Sequence, residues 1–247
     1  MSDNEKGFIR VLGRWDVLVL SFGAMIGWSW VLMSGTWVAL AGSVGAVIAM
    51  LIGGGIIALI SLTYAELASA MPHVGGEHVY TKRALGESWS FVCTWALLFS
   101  YLGICAFEAI ALPTAIEYLV PAIKIGTLWS VFGAEVDQGF VIVGVIGSLI
   151  ITAVNYRGIK TAALFQSLTV GMIFFAGILL ITGAIGFGEI AYTEPWIAMP
   201  ATGIMSVLIM VPGLMVGFDV IPQSADEINL PKKVIGKLVV FSVAMVV

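Results

Sequence analysis

Apolar residues fall in six long runs, 15–40, 44–64, 89–112, 140–156, 161–187 and 197–221, separated by short polar connections. Each is near the roughly 20 residues a helix needs to cross about 30 Å of hydrocarbon, so six full transmembrane helices are predicted. A seventh apolar run, 234–247, follows Pro231 and the Lys232–Lys233 pair and has only 14 residues. That is too short to span, and a helix ending in lipid strands its last carbonyls. The chain is therefore expected to be one transmembrane domain, 1–247, truncated within helix 7 of a longer membrane protein. The first run, with 26 residues and a second run close behind, is too long for a cleaved signal peptide.

Composition agrees with this pattern. Apolar residues make up 60% of the chain and charged residues 11%, against roughly 25% charged in soluble domains. Mean hydropathy is +1.07. A water-soluble globule is excluded, and the lipid bilayer is the expected surrounding. With 11 Lys and Arg against 15 Asp and Glu there is no basic face for nucleic acid. With the N-terminus inside, Lys6, Arg10, Arg14, Lys82, Arg83, Arg157, Lys160, Lys232, Lys233 and Lys237 all fall on the inner side, and only Lys124 falls outside. The positive-inside rule thus predicts a cytoplasmic N-terminus. Cys93 and Cys105 lie on one predicted helix about 18 Å apart in rise, too far for a disulfide. His73 and His78 have no Cys or His at ligand spacing, so no metal site is expected. No nucleophile and base cluster at one depth, which speaks against an enzyme, and no cofactor is implied.

Two runs carry internal breaks. The first contains Gly23-Ala24-Met25-Ile26-Gly27-Trp28-Ser29-Trp30, and the sixth contains Val211-Pro212-Gly213-Leu214-Met215-Val216-Gly217-Phe218-Asp219. Each glycine costs a helix interior roughly 1 kcal/mol relative to alanine, and proline removes an amide donor. In a membrane such backbone is tolerated where it lines a cavity. Freed amides at the start of a second half-helix suit an anion, and freed carbonyls at the end of a first half-helix suit a cation. A pair of interrupted helices points to a secondary-transporter site near the bilayer midplane, and a zwitterion fits both ends. The triplet Gly53-Gly54-Gly55 reads instead as a helix-packing face.

Further patches accompany the breaks. They are Tyr64-Ala65-Glu66-Leu67, Met71-Pro72-His73-Val74-Gly75-Gly76-Glu77-His78-Val79-Tyr80, Asn155-Tyr156-Arg157-Gly158-Ile159-Lys160, and Ala225-Asp226-Glu227-Ile228-Asn229-Leu230-Pro231-Lys232-Lys233. With Gly23 to Ser29 and Gly217-Phe218-Asp219, they make the chain resemble the amino acid-polyamine-organocation (APC) superfamily along essentially its whole length. The resemblance implies an all-α membrane protein with an inverted-repeat transporter fold and broken helices 1 and 6. It implies a permease carrying amino acids or related amines across the cell membrane by alternating access. It places carboxylate-binding amides at Gly27, Trp28 and Ser29, and ammonium-binding carbonyls at Met25, Met215, Val216 and Gly217. The family's small residue and third glycine are replaced here by Trp28 and Ser29, which either narrows the pocket floor or supplies a gate. A lysine that some proton-coupled relatives hold in mid-helix 5 has no counterpart, since Lys160 sits at the helix mouth.

Acids within the spans must face a cavity, find a partner or stay protonated. Asp219 is a candidate for coupling or gating, or else caps freed backbone. Glu108, midway through the third run, is a candidate proton carrier, or else a neutral acid hydrogen-bonded between helices. Proton coupling is thus one expectation. Glu117 is expected to be solvated, Glu66 to make an inner salt bridge or gate contact, and the loop histidines to be solvated. Tyr101 lies on the stretch that faces the pocket in relatives. Two other readings stay open, an incomplete transporter fragment without activity of its own and a channel for small polar solutes.

Overall fold

The computed structural model describes residues 10–247, without the side chains of Trp28 and Ser29. Helices form over every apolar run. α1 (Arg14–Met25) and α2 (Trp28–Ala41) divide the first, and α3 (Ser43–Ala70) covers the second. A short polar helix, α4 (Glu77–Leu85), precedes α5 (Glu87–Leu119), α6 (Gln138–Tyr156) and α7 (Ile159–Phe187). The sixth run is divided into α8 (Thr202–Leu214) and α9 (Val220–Gln223), and α10 (Lys232–Val246) lies over the seventh. Several helices overrun their apolar runs. The 33 residues of α5 reach about 50 Å at 1.5 Å per residue. Apolarity marks the hydrocarbon depth, whereas the hydrogen-bond ladder continues into the polar interface.

By length and apolarity α3, α5, α6 and α7 can each cross a membrane, and Arg14–Met25 with Trp30–Ala41, bent by 50° at the break, makes a fifth where that pair is one span. The sixth run differs from one continuous rod. α8 has 13 residues, roughly 20 Å, and the chain then leaves the helix before the short α9.

Side-chain packing concentrates where the broken helices meet their neighbours. α3 lies along both α10 and α8, α1 packs on α7 and α10, and α2 packs on α8 and α5. Val17, Leu18, Met25, Ile57, Val211 and Met215 belong to one buried core shared by α1, α3, α8 and α10. A Cβ on Gly53 would come within 2.6 Å of Val211 and one on Gly54 within 2.5 Å of Val247, while Gly55 faces open space. Two of the three glycines thus serve close helix packing, as expected. The long helices α5 and α7 bury few side chains within the chain and show apolar surface, with Phe99 77% and Leu180 75% exposed. That is the surface lipid or further protein accepts without loss.

Both ends of the bundle are tied by backbone. At one end the first amides of α3, from Ser43, Val44 and Gly45, donate to the carbonyls of Pro195 and Trp196, and Ala198 donates to Ala41. These bonds satisfy donors that a helix N-terminus leaves without partners. At the other end Leu12 pairs with Ile228 in an isolated parallel bridge, so the segment before α1 is clasped to the segment before α10. The connection between α5 and α6 holds a hairpin that hydropathy did not reveal, β1 (Thr127–Val131) antiparallel to β2 (Ala134–Asp137). Phe132 and Gly133 make its turn with φ of 50° and 84°, the signature of a type I′ turn. Asp137 then caps α6 by accepting the Gly139 amide at 2.7 Å. The architecture is an all-α membrane fold apart from this hairpin.

Candidate functional site

The site is built where the two breaks meet. α1 ends at Met25, Ile26 and Gly27 are extended, and α2 starts afresh with Gly27 as its N-cap. α8 retains Pro212 within its last turn, ends at Leu214, and passes through Met215 to Gly217, whose φ is +133°. Only glycine adopts that conformation without strain. A Cβ there would also lie 2.6 Å from the Ala24 carbonyl carbon and 2.8 Å from the Met25 nitrogen. The breaks therefore touch backbone to backbone, with Gly217 as the contact.

Trp30 links the same two ends by its side chain. Its indole Nε1–H donates to the Met25 carbonyl at 2.9 Å and to the Leu214 carbonyl at 3.3 Å. These are the last carbonyls of the two first half-helices, and each helix C-terminus carries partial negative charge. On the other side of the break, Glu108 of α5 reaches Gly27, where a Cβ would stand 2.5 Å from its Oε1. A carboxyl group is thus already beside the N-terminus of α2, the position expected to receive a substrate carboxylate.

Below the second break lies a buried polar network. Asp219, 6% exposed, accepts the Gly217 amide on Oδ1 at 3.0 Å, so it does cap freed backbone. Its Oδ2 accepts the Tyr101 hydroxyl and, at 3.0 Å, the Gln223 amide. The Gln223 Nε2 also lies 3.1 Å from the Tyr101 oxygen and 3.3 Å from Oε2 of Glu77. Two hydrogens thus face three acceptors, and at least one of these contacts is shared. Glu77, the first residue of α4 and 7% exposed, is buried with Tyr64 beside its carboxyl. Burial raises the Glu77 carboxyl above the ordinary carboxylate range, and the Asp219 charge adds to this against the opposing backbone and Gln223 bonds. A half-open cavity of about 160 Å³ borders the network, lined by Tyr64, Leu97, Ser100, Tyr101, Val216 and Asp219 among others.

The structure thus brings together Met25, Gly27, Gly217, Asp219 and Glu108 of the expected residues. Met215 is fully buried and donates its amide to Val211, and the Gly217 carbonyl accepts from Val220. The side chains of Trp28 and Ser29 lie outside the described residues. Sequence reasoning missed Trp30, Leu214, Gln223 and Glu77, because each acts through a partner distant in the chain. Away from the breaks, His78 shares hydrogen bonds with Thr94 at 2.8 Å and Ser90 at 2.9 Å. It therefore ties α4 to α5 instead of being merely solvated. Glu117 is paired with Lys124 at 2.6 Å, and Glu66 lines an open groove of about 560 Å³ with Lys233 and Lys237.

The broken helices, the backbone contact between them and the acids beside both breaks make one site, and similarity to known proteins gives the chain a family. The sequence profile described as Amino acid permease matches residues 12–247. The chain belongs to the amino acid permease family. It is 28% identical to the branched-chain amino acid permease BcaP of Bacillus subtilis, over 98% of this chain and 53% of that relative. It is 26% identical to the methylthioribose transporter of the same organism, over 93% of the chain and 50% of the relative. It is 27% identical to the chloroplastic cationic amino acid transporter 9 of Arabidopsis thaliana, over 94% of the chain and 42% of the relative. The chain spans about half the length of the curated relatives it matches. These relatives carry the names of permeases and transporters, and among its described residues this permease-family chain has four helices, or five with the bent pair, long and apolar enough to cross a membrane.

Proposed function

We propose that the protein is a secondary active transporter that carries an amino acid or related amine across the cell membrane by alternating access. The contact of Gly217 with Ala24 and Met25 carries this reading, because it brings the carbonyl-bearing ends of α1 and α8 together within two residues of Gly27, where the amide end of α2 begins, and so supports one site for a zwitterion. In this reading the N-terminus is cytoplasmic, and the helices described here form the first of two inverted repeats together with the opening of the second.

Glu108 supplies the coupling. Its carboxyl lies beside Gly27, so an ionised Glu108 and a substrate carboxylate compete for the same helix N-terminus. A proton on Glu108 removes that competition, and substrate carboxylate and proton then enter together. Asp219, tied to Tyr101 and Gln223, gates the inner side.

The test is counterflow of labelled amino acids and polyamines in proteoliposomes holding the full-length protein, with and without an imposed pH gradient. Saturable exchange driven by the gradient is expected, and Glu108→Gln should retain exchange while losing gradient-driven accumulation. Absence of saturable exchange for every amino acid and polyamine overturns the transporter reading. Unaltered accumulation by Glu108→Gln overturns the coupling role alone.

A further inference from the structure

One feature of the site is unlike a vacant ammonium pocket. Among the described residues, the last carbonyls of α1 and α8 share one side-chain N–H, that of the Trp30 indole, at 2.9 Å from Met25 and 3.3 Å from Leu214. One hydrogen shared by two acceptors satisfies neither fully, and a neutral donor balances the partial negative charge of two helix C-termini less than a cation does. An ammonium group carries three hydrogens and a full positive charge, so it is the better occupant of the same two oxygens. The ring is nonetheless held in place. It packs edge to face on Trp37, with centroids 5.6 Å apart at 90°, and Trp30 packs against both buried cores.

We propose that Trp30 is an internal competitor for the substrate's ammonium group, a specificity-determining residue whose indole N–H holds the Met25 and Leu214 carbonyls until a cationic ligand displaces it. This rests on the transporter reading above. It goes further in assigning the selection of amines to a removable intramolecular bond. Ligands without an ammonium gain nothing from displacing the indole, so they are rejected. The affinity for ligands that have one is set by how much better their bonds are than the indole's.

The experiment uses the full-length protein with a panel of all twenty standard amino acids and the common polyamines, followed by the tightest-bound amino acid and the same acid lacking its amino group. Two variants remove the N–H. They are Trp30→Phe and replacement of Trp30 by β-(3-benzothienyl)alanine, which keeps the indole's shape with sulfur in place of N–H and so guards against misfolding of the first. A freed carbonyl pair should tighten amino acid binding about threefold to tenfold, the worth of one neutral hydrogen bond. The deamino acid should bind each variant as it binds the parent. In 15N-tryptophan-labelled protein the Trp30 indole resonance, assigned by its absence in Trp30→Phe, should shift when the amino acid is added. Unchanged or weaker amino acid binding in both variants, or equal tightening of the deamino acid, overturns the role of Trp30. Failure of the parent to bind any member of the panel overturns the transporter reading itself.

Discussion

Gly217→Ala tests the contact on which the site rests. At φ +133° an alanine is placed in backbone space that L residues avoid, a strain of about 1–3 kcal/mol. The added methyl also stands 2.6 Å from the Ala24 carbonyl carbon, 2.8 Å from its oxygen and 2.8 Å from the Met25 nitrogen. All three are backbone atoms of α1, so none can swing aside, and the overlap adds about 1–3 kcal/mol more unless the breaks separate. The control is Gly213→Ala, four residues earlier in α8, where a Cβ meets nothing within 4 Å. There the same methyl gains helix propensity, by up to about 1 kcal/mol. Thermal unfolding of the two variants in detergent micelles, followed by loss of monodisperse protein, should place Gly217→Ala well below the parent and Gly213→Ala at or above it. Counterflow should fall sharply in the first and persist in the second. Equal midpoints for the two variants would refute the backbone contact, and full transport by a destabilised Gly217→Ala would show that the contact is structural only.

Three further outcomes follow from the same geometry. Gly27→Leu should insert normally yet lose substrate binding, since its Cβ alone reaches within 2.5 Å of Glu108 Oε1; retained affinity in an equilibrium binding assay would remove Gly27 from the site. Asp219→Asn presents an amide to Tyr101 and Gln223, both of which donate to Oδ2, so it should lower stability by about 1–3 kcal/mol and alter the pH profile of uptake; an unchanged profile would leave Asp219 as a backbone cap. Glu77, its carboxyl raised above the ordinary 4.5 by burial, contributes fully to stability in acid and loses that contribution as pH rises through its raised value. Glu77→Gln should therefore unfold at a higher temperature than the parent at neutral pH, with the difference shrinking as pH falls toward 4.5; a difference that grows in acid would reverse the assignment.

The breaks were legible in the sequence because their cause is local. Gly23, Gly27, Pro212, Gly213 and Gly217 weaken a helix through their own backbone, whatever packs around them. What fills a break is not local. The indole of Trp30 meets Leu214 across 184 positions of sequence, Gln223 meets Tyr101 across 122, and Gln223 meets Glu77 across 146. Hydropathy counts Trp30 as one more apolar residue of the first run, and nothing in the polar segment after Asp219 singles out Gln223. Glu108 lies between these cases. An acid in mid-span was visible at once, but its place beside Gly27 depends on α5 crossing α2. The hairpin was missed for a related reason, since a type I′ turn at Phe132 and Gly133 leaves no mark on a hydropathy window. Each break here frees backbone groups and then meets them with a side chain, Trp30 at the carbonyls of Met25 and Leu214 and Asp219 at the amide of Gly217. A ligand that binds at the breaks must exchange with such bonds and does not enter an empty slot. Its selectivity is then a difference between its own bonds and those the chain already makes.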